Sequence, residues 1–152
     1  MLRFLSDEGV EVFMGRVVVA AVVESLEDLY RIHRGEMTAD RIRRFEVADA
    51  LVDTGATGLS LPLRLIEQLG LLPIRSRRAV TTAGVRDVPT FGAVRLTVLD
   101  RDCVCDVTEV EDACPVLIGQ VPLELMDFVV DAGRWQLVGN PAHGGEHMIE
   151  LM

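Results

Sequence analysis

Short apolar runs separated by polar turns make up most of this chain, a pattern typical of a mainly β protein. β-branched residues dominate positions 16–23, and a second apolar stretch runs from Phe45 through Leu51 to Val52. A clean alternation of apolar and polar residues follows at 93–99. The predicted strands span residues 16–23, 45–52, 93–99, 103–110, 115–119, 127–130 and 135–138.

Helical signals are few and short, so we predict one or two short helices beside the strands. Ser25 and Asp28 match a capping box that opens a helix toward His33. Pro62 is suited to the first turn of another helix, because its missing N–H has no partner to lose there. The side of that helix expected to pack on the sheet is formed by Leu63, Ile66 and Leu69. A third short segment, 123–126, follows Pro122.

A hairpin is predicted within residues 79–93, where β-forming residues stand on both sides of Ala83 and Gly84. We place the tip of this hairpin at Gly84, since glycine makes a turn flexible. Two-residue turns with glycine are common, so an ordinary surface hairpin is the alternative to a functional one.

Composition limits the classes to which the chain can belong. Its 152 residues suit one domain with a substantial core. A hydrophobic fraction of 49% and a mean hydropathy of +0.30 are high for a small monomer, and a buried subunit interface would account for both. The net charge of −9 argues against nucleic acid and anionic membrane surfaces as partners, because both are bound through Lys and Arg.

Membrane spans, export signals and metal centres all lack support in the sequence. The longest apolar run, 17–23, is far too short to cross a bilayer, and the first residues do not have the order of a signal peptide. The three cysteines lack zinc spacing, and the glycines between His143 and His147 disfavour a helix that would align the two rings. We therefore expect free thiols, a cytoplasmic location, and neither metal nor cofactor.

The main candidates for functional residues are Asp53, Thr54 and Gly55, which directly follow the apolar run at 50–52. A carboxylate at the end of a buried strand is costly unless it is paired or hydrogen-bonded. An ordinary Asx-type turn would satisfy Asp53 through the backbone, with Gly55 supplying a positive φ. A catalytic carboxylate is the other interpretation of the same residues.

Two motifs in order favour the catalytic interpretation. Asp53-Thr54-Gly55-Ala56 is followed, after the hairpin, by Leu117-Ile118-Gly119. From about Gly15 to Pro141 this arrangement resembles the retropepsin-like aspartic proteases, the homodimeric relatives of the pepsins. The resemblance implies a closed β-barrel of the acid-protease half-fold, present as a homodimer.

The resemblance also implies domain boundaries. We expect an N-terminal extension at 1–14, a protease domain at 15–141 and a flexible C-terminal tail at 142–152. The extension would add a strand, since Val10, Val12 and Met14 alternate, or it would come from a start codon placed too early.

Each residue of the two motifs receives a role from the resemblance. The Asp53 carboxylates of two subunits would share one proton, because like charges that close cannot both ionise. Thr54 would join the two loops across the symmetry axis, and Gly55 would let them approach closely. Residues 82–84 would belong to a flap that closes over the substrate. The expected substrate-binding residues are Ala56, Thr82, Ala83, Gly84, Leu117, Ile118 and Gly119.

The implied function is that of an aspartic endopeptidase acting on peptide or protein substrates as a homodimer. Because Ala56 cannot donate a side-chain hydrogen bond to the carboxylate, we expect a weakly acidic pH optimum, and a peak below about pH 3 would contradict this. A non-proteolytic binding or scaffolding dimer of the same fold is the alternative. The intact Asp-Thr-Gly-Ala motif favours the enzyme, since a scaffold gains nothing from two facing carboxylates.

Overall fold

The computed structural model describes residues 3–5, 11–13 and 16–151, with side chains described for the last range only. Strands make up about half of the described residues, so the predicted mainly β class is confirmed. The strands are β1 (Arg3–Leu5), β2 (Glu11–Phe13), β3 (Val17–Ser25), β4 (Arg44–Val52), β5 (Leu59–Pro62), β6 (Leu72–Thr81), β7 (Gly84–Val98), β8 (Arg101–Val110), β9 (Leu117–Ile118), β10 (Phe128–Asp131) and β11 (Gln136–Gly139).

Seven of these strands form one sheet in the order β3-β4-β9-β5-β8-β7-β6, and β3 pairs with β7 in addition. The short strand β9 is the structural centre of this arrangement, because it pairs in parallel with β4 and antiparallel with β5. Leu51 lies opposite Leu117 and Val52 lies opposite Ile118. The ends of β4 and β9 therefore meet at one place, directly before Asp53 and Gly119.

Two further pairs of strands lie outside this sheet. β1 pairs antiparallel with β2, so the predicted N-terminal strand is present around Val12, whereas Val10 and Met14 fall outside the described residues. β10 pairs antiparallel with β11, which confirms the strands predicted at 127–130 and 135–138 to within one residue.

The described residues contain three α-helices, which corrects the prediction of one or two. They are α1 (Leu26–His33), α2 (Leu63–Gln68) and α3 (Gln120–Leu125), and two 3-10 turns lie at Ala39–Arg41 and Pro141–His143. α2 and α3 have only six residues each, too few to be stable through helix propensity alone. Burial of Leu65 and Ile66 in α2, and of Leu123 in α3, stabilises them instead.

The predicted packing side of α2 is also partly wrong. Ile66 and Leu69 are buried as expected, but Leu63 is exposed and Leu65 takes its place in the core. Pro62 is the last residue of β5 and the cap of the helix, so the helix begins one residue later than a first-turn proline would place it. The point at which β5 passes into α2 therefore decides that Leu65, and not Leu63, is buried.

A single apolar core joins the sheet to α2, α3 and the β10–β11 pair. Both β4 and β9 contribute to it close to the Asp53 loop, through Val52 and Ile118. The apolar side chains with no measurable exposure are Val23, Ala50, Leu59, Leu61, Leu69, Val94, Leu96, Val98, Val107, Ile118 and Met126.

The polar segment between β3 and β4 is fastened by a buried carboxylate. Ser25 caps α1 as predicted, its hydroxyl accepting from the Asp28 N–H at 3.2 Å. Asp28 is fully buried and accepts three hydrogen bonds from Arg43, through the backbone N–H and two guanidinium nitrogens at 2.8–2.9 Å. These bonds from Arg43 hold the pKa of Asp28 below its usual value. Arg43 therefore has a structural role, because it fastens the start of β4 to α1.

The C-terminal residues contact the domain through Asp127, a buried residue with φ of 58°. Its carboxylate accepts from Asn140 Nδ2 at 3.0 Å, from the Met148 N–H at 3.1 Å and from His143 Nδ1 at 2.6 Å. Arg101 donates to the carbonyl of Gly145. Flexibility of residues 142–152 stays a prediction, and these contacts show which part of the tail lies against the domain.

Candidate active site

The candidate site is the loop after β4, where Asp53 is held by backbone groups. The Asp53 N–H donates to the Ile118 carbonyl at 2.9 Å, and the Asp53 carbonyl accepts from the Ala56 N–H at 3.1 Å. The Gly55 N–H donates to Asp53 Oδ1 at 3.0 Å. The loop is therefore an Asx turn, and its carboxylate is only partly buried at the end of a buried strand.

Gly119 passes so close to this loop that only glycine fits there. A Cβ on Gly119 would lie 2.6 Å from the Gly58 carbonyl oxygen and 2.7 Å from that of Ala56. Three hydrogen bonds of 2.9 Å fix the approach, donated by Gly119, Gln120 and Val121 to Gly58, Ala56 and Thr57 respectively. The structure thus joins the two sequence motifs into one backbone unit.

Gly55 occupies a different environment from the one expected for an Asx turn. It is not among the glycines with positive φ, which corrects the expectation that Gly55 supplies such an angle. A Cβ at this position would lie 3.2 Å from Asp53 Oδ1, tighter than an ordinary contact. Both Gly55 and Thr54 are exposed, so the outer face of the loop is open in the single chain.

Beside Asp53 lies a groove of about 300 Å³ that sequence reasoning did not identify. Arg16 and Trp135 line it together with Asp53 and Thr54. Trp135 has φ of 52° and is 37% exposed. Trp135 is the only Trp of the chain and directly follows the Asp131–Arg134 turn. That position after a turn is the sequence signal that could have indicated an exposed aromatic residue.

The remaining predicted site residues fall into two groups. Leu117 is partly exposed, whereas the Ile118 side chain is fully buried in the core, so Ile118 serves the loop through its carbonyl. The flap residues Thr82, Ala83 and Gly84 are exposed at the far end of β6 and β7, and none of them lines the groove at Asp53. The structure brings Asp53 together with 117–119, but not with 82–84.

The hairpin itself is longer than predicted and turns slightly earlier. β6 and β7 pair from Leu72 opposite Gly92 to Thr81 opposite Gly84, so Thr82 and Ala83 form the tip. Gly84, predicted as the tip, is the first residue of β7, with φ of 110°. The Thr81 hydroxyl closes the turn by donating to the Gly84 carbonyl at 2.8 Å and accepting from the Ala83 N–H at 3.2 Å.

No group of three or more His, Cys, Asp or Glu side chains within residues 16–151 is arranged to hold a metal ion. Cys103, Cys105 and Cys114 are free thiols. The hydrogen bond between Cys103 and Cys105, which share one face of β8, lowers the pKa of Cys103 and raises that of Cys105. The described groups at the Asp53 loop that could take part in chemistry include the Asp53 carboxylate, the Thr54 hydroxyl and the surrounding backbone.

A larger depression of about 670 Å³ lies between β4, α2 and residues 112–116. None of its lining residues belongs to the Asp53 loop. Its size alone does not make it the site, because it lacks a carboxylate fixed by backbone donors at the end of a strand.

None of the described helices is both long and apolar enough to cross a membrane.

Comparison with known proteins agrees with the geometry. A search of curated proteins finds no match. A family model described as aspartyl protease matches residues 44–121, just over half of the chain. The match begins with β4, contains the Asp53 loop and ends two residues after Gly119. The chain belongs to the retropepsin-like aspartyl protease family.

Proposed function

We propose that this protein is an aspartic endopeptidase in which Asp53 of two identical chains forms one catalytic pair. The family match indicates peptidase activity. The observation that carries the finer proposal is the Asp53 turn, a carboxylate held by the Gly55 N–H in a loop bonded to Ile118 and Gly119. A rigid carboxylate at an open surface is suited to acid–base work.

The need for a second chain follows from the chemistry. Hydrolysis of a peptide bond requires a base to activate water and an acid to protonate the leaving nitrogen. Two carboxylates sharing one proton supply both, and this sequence contains one Asp-Thr-Gly motif. The exposed Thr54 and Gly55 support a two-fold contact at this loop, since their hydroxyl and backbone are open to a partner.

The remaining parts of the proposal concern substrate and fold. An extended peptide would lie between the Asp53 loops and the flap, bound partly as an added strand. Ala56, Leu117, Gly119 and residues 82–84 would line its path, Gly119 through its backbone. The pairing of β3 with β7 supports the view that the sheet closes into the barrel of the half-fold. A cytoplasmic location stays our expectation.

The test is cleavage of casein between about pH 3.5 and 7.5, a range that extends to both sides of a weakly acidic optimum. Wild type, Asp53→Asn and Asp49→Asn are compared, since Asp49 is an exposed carboxylate on the same strand. We expect wild type and Asp49→Asn to cleave and Asp53→Asn to be inactive, with all three sedimenting as dimers. Cleavage that persists in Asp53→Asn, or a fully active monomer, would contradict the mechanism. Dimers that never cleave would favour the scaffolding alternative.

A further inference from the structure

The flap hairpin, defined as residues 72–92, has a charge opposite to that of the rest of the molecule. It contains four arginines and one aspartate, a net charge of +3, in a chain whose total is −9. The other residues therefore carry −12 between them. Such a contrast is an electrostatic feature with consequences for which partners approach the hairpin.

The register of the hairpin sorts its arginines onto two faces. Cross-strand partners share a face and successive residues alternate. Arg77 pairs with Val88 and Ala79 pairs with Arg86, so Arg77 and Arg86 are diagonal neighbours on one face. Arg75 shares that face, two residues before Arg77. Arg78 lies on the opposite face, across from Asp87.

The face with Arg77 is the one turned toward the body of the protein. Arg75 Nη2 donates to Asp106 Oδ2 of β8 at 2.7 Å. Arg77 lines a groove of about 400 Å³ together with Thr57 and Gly58 of the Asp53 loop and with Val121 of α3. This basic face therefore borders a groove that the Asp53 loop also lines, through Thr57 and Gly58.

Two of the four arginines have no carboxylate partner among the described side chains. Arg75 pairs with Asp106, and Arg78 approaches Asp87 at 4.0 Å on the exposed face. Within residues 16–151, no carboxylate lies within salt-bridge distance of Arg77 or Arg86. A guanidinium binds a carboxylate through two parallel hydrogen bonds, and the attraction grows as water is excluded.

We propose that Arg77 and Arg86 select substrates with Asp or Glu in the segment that lies against the flap hairpin. The acidic segment of an extended peptide fits this face by charge, because the acidic remainder of the protein would repel it elsewhere. The selection comes from two arginines acting at close range, so it weakens as salt screens the charges. This inference rests on the proposed peptidase function and names the substrate class of that site.

The test uses two labelled peptides with the same apolar centre, flanked by Glu in one and by Gln in the other. The ratio of kcat/KM for Glu over Gln is measured for wild type, Arg77→Gln, Arg86→Gln and the double variant. We expect a ratio of about ten for wild type, about three for each single variant and about one for the double variant. The wild-type ratio should fall with added salt.

Arg78→Gln is the matched control, since it removes the same charge from the neighbouring residue on the opposite face. It should keep the wild-type ratio. A wild-type ratio near one would overturn the inference, and so would an equal loss in Arg78→Gln and Arg77→Gln, which would indicate a long-range field. A double variant that sediments as a monomer would assign these arginines to subunit contacts and would also overturn it.

Failure of the peptidase function can be separated from failure of this inference. If wild type cleaves both peptides equally, the peptidase stands and the selection is wrong. If wild type cleaves neither, fluorescence anisotropy measures binding of the same peptides. Tighter binding of the Glu peptide that is lost in the double variant would support the selection while the peptidase proposal fails, and equal binding would overturn the selection.

Discussion

The Asp53 loop and the flap hairpin are both glycine-containing turns at the ends of strands, yet their surroundings differ sharply. The Asp53 loop is bonded on several sides, and Gly119 crosses it with carbonyl oxygens less than 3 Å from where a Cβ would stand. In the flap hairpin, Gly84 has no atom within 4 Å of such a Cβ. Val80 there is 88% exposed. Neighbouring segments fix the Asp53 loop, whereas the flap hairpin is held by the backbone pairing between its own strands, β6 and β7.

This difference matches the work that each region is proposed to do. A catalytic carboxylate must be kept within a fraction of an ångström of its productive position, which requires support from the surrounding backbone and packed side chains. A flap must leave and return, so it belongs to the parts of a fold with few buried contacts. Substitutions in the two regions should therefore separate loss of stability from loss of activity.

The largest effect is expected from Gly119→Ala. The added Cβ would meet backbone atoms of Gly58, Ala56 and Thr57 at 2.6–2.7 Å, and these atoms cannot withdraw without breaking the hydrogen bonds that join the motifs. We expect a loss of about 3 kcal/mol or more in the free energy of unfolding, measured by urea denaturation.

Gly58→Ala is the control for this substitution, because Gly58 lies in the same loop and has no positive φ, and a Cβ added to it would have no atom within 4 Å. Its effect should be within about 0.5 kcal/mol of wild type. Equal losses for the two variants would show that the close crossing of Gly119 does not determine stability.

An intermediate effect, on activity alone, is expected from replacing Val80 and Val85 together by serine. The two valines lie opposite each other near the flap tip and are 88% and 57% exposed. Unfolding free energy should change by less than about 0.5 kcal/mol, while kcat/KM should fall roughly tenfold through lost apolar contact with substrate.

Val107→Ala is the matched comparison in the core. Val107 has no measurable exposure, so this variant should lose roughly 2 kcal/mol of stability through the cavity that it leaves. If the exposed pair destabilises the protein as much as Val107→Ala does, the flap belongs to the cooperative core and the comparison fails.

The smallest effect concerns pH and the contact between Asp127 and His143, which fastens the tail near α3. Hydrogen bonding to His143 lowers the pKa of Asp127 to about 2, and the same bond raises the pKa of His143. The Asp127 contribution is present above its ordinary pKa and is lost as pH falls toward 2. The His143 contribution is present below its ordinary pKa and is lost as pH rises through its raised value.

The stability difference between wild type and His143→Gln should therefore be largest between about pH 4 and 6.5 and should shrink on either side. Thermal unfolding across this range measures it. His33→Gln, at an exposed histidine at the end of α1, serves as the control. A difference that keeps growing above pH 7 would contradict the assignment of the contact.

The sequence predicts the fixed region better than the flap, for a physical reason. One apolar run ends at Asp53 and a second ends at Gly119. Both runs are apolar because their residues are buried in the core, so the sequence alone reveals them. The sequence does not predict β6 over 72–78, because its residues are exposed on both faces and show no alternation. Its strand conformation comes from pairing with β7, which no local pattern reveals.

The groove beside Asp53 illustrates the same limit. Trp135 reaches it from the far end of the chain, at the end of a turn with a positive φ, and the sequence offered only a lone aromatic residue. The short segment noted after Pro122 is the helix α3, and the predicted number of one or two helices is too low because six-residue helices depend on tertiary burial more than on their own sequence. Features that depend on contacts between distant segments of the chain could not be predicted from the sequence and became visible only in the structure.

The measurement that tests the central claim most directly is activity in mixed dimers. Wild-type and Asp53→Asn chains are refolded together at constant total concentration, and casein cleavage is followed against the wild-type fraction. If each site needs two Asp53 carboxylates, activity will follow the square of that fraction, while mixing with Asp49→Asn will leave activity unchanged. A linear dependence on the wild-type fraction would show that each chain acts alone, and it would contradict the account.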